Sequence, residues 1–455
     1  MITLCYISKK EIIMQLYAPW EKAFKKVSTP LEHFIHAQTT TGIILMFMTV
    51  LALVLANSAL TQDYADFFHT EVEFVVGSWH LEHTIHHWIN DGLMAIFFFI
   101  IGLEIKREIL VGELSNIKVA ILPILAAIGG MALPAIIYSG INYGTEGAVG
   151  WGIPMATDIA FAISALVLLG KRVSPALVTF LIALAIVDDL GAVIVIAVFY
   201  TEQIHFIPLA LAGISFFVMV LFNRVGIHMI LPYFIVGLFM WFFMLESGVH
   251  ATIAGVIAAM AIPSKPKRTP TDFTTHTKNL LNEYDNYPVA TDNTMHEKQK
   301  AILLNIKDNI DSVGSPSARL EHDLHLPVAL VIIPLFALAN AGITIDFASI
   351  GETIVQPVSL GIIAGLILGK VFGIAGVAWI AIKLGIAKLP EKSTMSQIFG
   401  VAFLGGIGFT MSIFVADLAF LGNETLIFQA KIGILSASLS SGLFGYIWLR
   451  YIAKS

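Results

Sequence analysis

The chain has little charge and almost no cysteine. Of its 455 residues only 13% are Asp, Glu, Lys or Arg, where soluble domains run near about 25%. With 57% hydrophobic residues and a mean hydropathy of +0.83, an ordinary soluble domain is excluded and a polytopic membrane protein is expected. The single cysteine, Cys5, excludes an internal disulfide framework and a cysteine-built metal cluster. Catalytic signatures are also missing. No G-x-S-x-G elbow is present. The stretch GLILGKV, Gly365 to Val371, is one residue short of a phosphate-binding loop and lacks the Ser or Thr after Lys370. The chain therefore reads as no enzyme, with no cofactor and neither nucleotide nor nucleic acid as partner, so any transport should run on ion gradients.

Basic residues are missing from one side. Apolar segments fall at about 40–60, 86–105, 118–138, 149–170, 175–200, 204–223, 227–245, 248–262, 324–343, 357–383, 397–421 and 426–450. Most reach the roughly 20 residues that a spanning helix needs. If the N-terminus is inside, 24 of the 26 Lys and Arg lie in inside segments, and the other two, Lys370 and Lys431, lie within spans. Residues 61–90, assigned outside, hold five acids and no Lys or Arg. This is the positive-inside pattern, and it places both termini in the cytoplasm.

Four regions are expected. Residues 1–37 read as a basic cytoplasmic lead-in, not a signal peptide. Spans 1–8 occupy 38–262, and spans 9–12 with a short cytoplasmic C-terminus occupy 321–455. Between them, 263–320 is rich in Thr, Asn, Asp, Lys and Pro and reads as a flexible cytoplasmic loop, a small folded domain being the alternative.

Two spans carry breakers. In VGWGIPMATDIAFAISALVLLG, Pro154 removes a helical hydrogen bond and Thr157 and Asp158 follow. In IFGVAFLGGIGFTMSIFVADLAF, Gly405, Gly406 and Gly408 weaken the helix ahead of Thr410 and Ser412. Unwound backbone at membrane depth is tolerated only where protein or a cavity surrounds it. These spans, the fourth and eleventh, run in opposite directions. Spans 3–5 and 10–12 thus form an inverted-topology repeat, an arrangement of many secondary transporters. The expected fold class is an all-α polytopic membrane protein of twelve transmembrane helices with interrupted helices in spans 4 and 11.

Ionisable residues inside the spans carry the chemistry. Asp188 and Asp189 sit in the apolar run PALVTFLIALAIVDDLGAVIVIAVFY, where each costs about 2.5–3.5 kcal/mol near the midplane. On a helix they project about 100° apart, so one can bind an ion while the other meets a cation such as Lys370. Carboxylates, Thr hydroxyls and freed carbonyls suit Na⁺ or Li⁺. The alternative is a buried ion pair that only fixes packing, and this weighs more on Lys370 or Asp158 taken singly. Asp91 lies near the outer end of span 2, where capping is as good an account as function. Glu104, Arg107 and Glu108 lie at helix spacing at its inner end, by default a solvated charged face. His250 can titrate near neutrality or serve structure. His80, His83, His86 and His87 cluster in an outer loop without a recognised metal motif.

The stretches WINDGLMAIFF, GLEIKRE, ATDIAFA, ALAIVDDLGA, SGVHATIAGV, LFALANAG, GIIAGLILGK and GIGFTMSIF, in this order, resemble the NhaA-type sodium/proton antiporters of bacterial inner membranes. That resemblance implies twelve spans with crossed, interrupted fourth and eleventh helices, and a homodimer. It implies Asp188 and Asp189 as transport-site carboxylates for Na⁺ or Li⁺, with Asp189 central and Asp188 the partner of Lys370. Thr157 and Asp158 match the helix crossing, where Asp158 and Lys370 would offset facing helix dipoles. Glu104, Arg107, Glu108, His250 and Glu321 match positions linked to pH response at a cytoplasmic funnel. The implied activity is electrogenic, pH-regulated export of Na⁺ and Li⁺ against external H⁺, for sodium and pH homeostasis. Glu246 and Ala318 depart from the basic residues of better-studied members, and the cytoplasmic loop is longer, so the pH profile should transfer less well than the site chemistry. Two other readings stay open at this point. A solute symporter would need a larger site with aromatic or Arg groups. An intramembrane aspartyl protease would need one Asp on each of two helices, and its G-x-G-D motif is absent.

Overall fold

The computed structural model describes residues 38–76, 79–201, 204–287, 295–345 and 350–453; the expected N-terminal segment lies outside them, as does part of the expected loop. Among the described residues, seven helices are long and apolar enough to cross a membrane, and up to nine if each of two bent pairs is one span. The chain is a predominantly helical, multi-pass membrane protein. One feature lies outside the all-α expectation. After α1 (Gln38–Ala56) and α2 (Thr61–His69), Glu71–Val76 (β1) and Trp79–Thr84 (β2) pair antiparallel, with Val72 opposite His83. Alternation of Glu71, Glu73 with Val72, Phe74 suits a strand, whereas the expected outer loop carries no such element.

α3 (Met94–Leu110) follows a wide π-turn at Trp88–Leu93 and packs on α9 (Thr252–Ala261) through small residues. A Cβ on Gly255 would lie 2.1 Å from the Ala95 carbonyl oxygen, and one on Gly102 would lie 2.7 Å from Ala259 Cβ. Small residues let backbones approach where no hydrophobic force separates helix from lipid. Between these two come α4 (Ile117–Ile141), α5 (Ile159–Val167), α6 (Pro175–Phe199), α7 (Phe206–Val225) and α8 (Ile230–Glu246).

Residues 263–320 hold more regular structure than their composition implied. α10 (Pro270–Asp285) and α11 (Glu297–Val313) pack side by side, with Asn309 Nδ2 donating to Thr277 Oγ1 at 2.8 Å and Arg268 Nη1 donating to Asn309 Oδ1 at 2.9 Å. Thr269 and His296 cap their N-termini, the latter in a reciprocal capping box with Gln299. α12 (Pro316–Pro327) then leads through a wide turn into α13 (Ile333–Asn340).

The remaining helices build the site. α14 (Pro357–Ala364) and α15 (Val377–Lys383) are joined by two wide turns, Gly365–Gly369 and Phe372–Gly376, with Lys370 between them. Such π-bulges recur at functional sites. α16 (Met395–Leu404) and α17 (Phe409–Ala419) meet at 48° across the glycine run, and α18 (Glu424–Ile447) closes the fold. Phe206, Ile207 and Phe217 lie largely exposed on α7, as a lipid-facing helix requires.

A candidate ion site where two broken helices meet

The break before α5 begins as a tight helix. Glu146–Met155 winds as a 3₁₀ segment, Ala156–Asp158 runs extended, and α5 starts with Asp158 as its N-cap, accepting from Phe161 N at 3.1 Å. The second break spans Gly405–Gly408, where glycine leaves room for backbone. A Cβ on Gly408 would meet Ser412 Oγ at 2.2 Å and the Ala156 carbonyl oxygen at 3.1 Å. The two gaps satisfy each other. Asp158 N donates to the Ile407 carbonyl at 2.6 Å, and Thr157 Oγ1 donates to the Gly405 carbonyl at 2.8 Å. Asp158 Oδ2 accepts from Thr410 N at 3.0 Å and from Thr410 Oγ1 at 2.5 Å. Backbone groups freed by the breaks thereby find partners in protein, which is the condition for unwound chain at this depth.

Lys370 crosses toward the first gap. Its ammonium donates to the Met155 carbonyl, to Thr157 Oγ1 at 2.9 Å and to Asp188 Oδ2 at 2.6 Å, and neither Lys370 nor Asp188 exposes any side-chain surface. Asp189, next on α6, is 1% exposed, and its Oδ1 has no hydrogen-bond partner among the described residues; Asp188 Oδ1 has none either. A buried carboxylate oxygen without a donor is costly. Helix geometry explains the split, because neighbours on α6 point about 100° apart. One carboxylate meets the lysine; the other meets a cavity.

That cavity is about 160 Å³ and is lined by Asp189, Asp158, Thr410, Glu104, Thr41 and His325 among others. Glu104 stands at the far end of α3 from Asp91. Close by, Arg107 pairs with Glu108 at 2.9 Å and with Glu321 at 3.0 Å. Of this group Glu104 alone lines the Asp189 cavity; Arg107, Glu108 and Glu321 form an ion-paired cluster one turn along and across from it. The structure does not bring His250 there: His250 Nε2 bonds the Tyr200 carbonyl at 2.8 Å, at the C-cap of α6. Asp91 is elsewhere again, with Oδ2 3.4 Å from His87 Nδ1 and its carbonyl accepting from Trp241 Nε1 at 2.9 Å.

The histidines of the hairpin region diverge. His83 stacks on His87 at 4.0 Å, while His86 bonds Asn340 Oδ1 at 2.8 Å. Among the described residues no group of three His, Cys, Asp or Glu is arranged to hold a metal ion. Sequence reasoning missed Thr41 and His325 as cavity residues and did not place Thr410 on Asp158. A threonine directly after a glycine break was the available signal for Thr410; Thr41 and His325 offered none, since their approach depends on tertiary packing.

A carboxylate pair, one member neutralised by lysine and one open to a mainly apolar cavity that also holds Glu104, Asp158 and Thr410, is suited to exchanging a monovalent cation for protons. Comparison with known proteins agrees in kind. The family model described as Na+/H+ antiporter 1 matches residues 32–449. The Na(+)/H(+) antiporter NhaA of Sulfurimonas denitrificans is 72% identical over 442 residues, covering 97% of this chain and all of that protein. Na(+)/H(+) antiporter NhaA 1 of Saccharophagus degradans is 48% identical, covering 95% of this chain and 93% of its own length. The Na(+)/H(+) antiporter NhaA of Dichelobacter nodosus is 45% identical, covering 99% and 97% respectively. The chain belongs to the Na+/H+ antiporter 1 family.

Proposed function

We propose that this protein is a secondary antiporter that exports Na⁺, and Li⁺ with it, in exchange for external H⁺. The observation that carries the reading is Asp189, buried next to Asp188 on α6 while Asp188 pairs with Lys370 from the α14–α15 segment, and lining a cavity that also reaches Glu104. In the outward-open state, protons displace Na⁺ from Asp189 and Asp188, or from Asp189 while Asp188 releases Lys370. The neutral site reopens inward, and protons leave as Na⁺ competes for the carboxylates. Na⁺ is the cargo; the Asp189 and Asp188 oxygens hold it, with Thr157 and Asp158 fixing the crossing and Lys370 supplying the compensating charge. Two protonatable groups for one monovalent cation make the exchange electrogenic, so membrane potential drives Na⁺ out.

The wider setting follows from the charge pattern and the family. Twelve spans with inverted repeats sit in a bacterial inner membrane with both termini cytoplasmic. The Glu104, Arg107, Glu108 and Glu321 group then lies at the cytoplasmic mouth, where it sets the pH response. His250 acts from the other end of α6. A homodimer in the lipid bilayer is the expected assembly, and sodium and pH homeostasis the physiological role.

Everted membrane vesicles test this. Addition of NaCl or LiCl should dequench a pH-sensitive dye, KCl should not, and Asp189→Asn should abolish the response. Full Na⁺-dependent proton movement in Asp189→Asn would remove Asp189 from the site.

A further inference from the structure

A buried tyrosine closes the helix that carries the transport-site carboxylates. Tyr200 caps α6, the helix that carries Asp188 and Asp189, and is 8% exposed. Its hydroxyl accepts from Gly152 N at 3.0 Å and donates to the Val149 carbonyl at 3.0 Å. Both partners lie in the 3₁₀ segment Glu146–Met155. We propose that Tyr200 is a positioning residue for ion exchange, pinning the 3₁₀ segment so that Met155 and Thr157 hold Lys370 at its set place beside Asp188. The inference deepens the antiport reading and rests on it.

The physical argument starts from the segment. A 3₁₀ helix makes poorer hydrogen bonds than an α-helix and seldom runs so long without support. Here external pins supply it. Besides Tyr200, Tyr138 Oη donates to the Gly147 carbonyl at 2.7 Å and Ser412 Oγ donates to the Ile153 carbonyl at 2.9 Å. Glycine permits the approach: a Cβ on Gly152 would lie 2.7 Å from Tyr200 Oη and 3.1 Å from its Cε2. One turn further on, Met155 gives its carbonyl to Lys370. The links close a ring that runs from Asp188 to Lys370, Met155, Gly152 and Tyr200, and back along α6 to Asp188. The hydroxyl of Tyr200 is one joint of that ring, and His250 holds the same residue by its carbonyl.

Removing the hydroxyl frees Gly152 N and the Val149 carbonyl. The segment relaxes, the Met155 carbonyl draws back, and the ammonium of Lys370 leans more on Asp188. A carboxylate held more tightly by lysine is less available to Na⁺. The expected signature is therefore an apparent KM for Na⁺ raised roughly three- to tenfold, with the maximal rate within about twofold of wild type.

The test measures KM and maximal rate for Na⁺ in everted vesicles for wild type, Tyr200→Phe, Gly152→Ala and Trp151→Phe. Gly152→Ala displaces the hydroxyl without altering Tyr200, and decides the matter if Tyr200→Phe fails to insert. Trp151 packs against the Tyr200 ring with centroids 6.5 Å apart but does not touch its hydroxyl bonds. Raised KM in Tyr200→Phe and Gly152→Ala, with Trp151→Phe near wild type, supports the assignment. An unchanged KM in both variants, or an equal rise in Trp151→Phe, overturns it. A wild-type protein with no Na⁺-dependent proton movement would instead sink the antiport reading, whatever the variants do.

Discussion

Lys370 Nζ lies 2.6 Å from Asp188 Oδ2 with both side chains wholly enclosed, while the neighbouring Asp189 keeps an oxygen without a donor among the described residues. A buried ion pair is weak evidence of net stability, but removing one partner of such a pair is strongly destabilising. Lys370→Met should cost about 3–5 kcal/mol in a reversible unfolding assay in detergent. The double variant Asp188→Leu with Lys370→Met should recover much of that loss and yet remain inactive. Equal instability of single and double variants would show that Lys370 serves packing alone.

The crossing contact between Asp158 and Thr410 is the shortest side-chain link between the two breaks. Hydrogen bonds to charged groups are worth about 1.5–3 kcal/mol. A double-mutant cycle with Asp158→Asn and Thr410→Val should therefore return a coupling near the upper part of the usual 0.5–3 kcal/mol range for contacting residues. Additive effects would mean that the two gaps are held together by backbone alone.

Gly406 sits in the second break where a Cβ would lie 2.4 Å from the Leu366 carbonyl oxygen and 2.6 Å from Ser441 Oγ. Backbone cannot step aside as a side chain can, so Gly406→Ala should cost about 1–3 kcal/mol and slow exchange about tenfold or more by displacing the crossing. Gly376→Ala, with nothing within 4 Å of the added carbon, is the matched control and should behave as wild type in both assays.

The hairpin should respond to acid. Burial, and then the neighbouring His87, hold His83 below the ordinary histidine range. A group whose folded pKa is depressed binds more protons unfolded than folded between the two values. Its contribution is thus complete above about pH 6.5 and is lost as pH falls through the folded value. Backbone protection of Val72 and His83, corrected for intrinsic exchange, should decline over that interval in wild type and decline less in His83→Gln, where His87, also held down by burial, still titrates.

Much of the site was readable because charge in an apolar run is expensive: Asp188, Asp189, Asp158 and Lys370 announce themselves by cost. Pro154 and the glycines at 405, 406 and 408 marked the breaks for the same local reason. What remained hidden depends on partners distant in sequence. The pairing of Thr410 with Asp158, the cavity positions of Thr41 and His325, and the Tyr200 pins all arise from packing between helices. The two wide turns flanking Lys370 left no breaker pattern that distinguishes them from ordinary helix. The helices of 270–313 were obscured by polar composition, since an amphipathic pair this short buries only Leu280, Gln299, Ile302 and Asn309. His250 shows the limit of grouping residues by shared role: it stands at the Tyr200 end of α6, apart from Glu104 and Glu321.

Protons and Na⁺ compete, in the proposed exchange, for the carboxylates of Asp188 and Asp189. The most direct measurement is proton release from purified protein in weakly buffered detergent on addition of NaCl, read with a pH-sensitive dye. Release should saturate with NaCl and LiCl, be absent with choline chloride, and be lost in Asp189→Asn. Release of equal size from Asp189→Asn, or none from wild-type protein that still moves Na⁺ in vesicles, would contradict it.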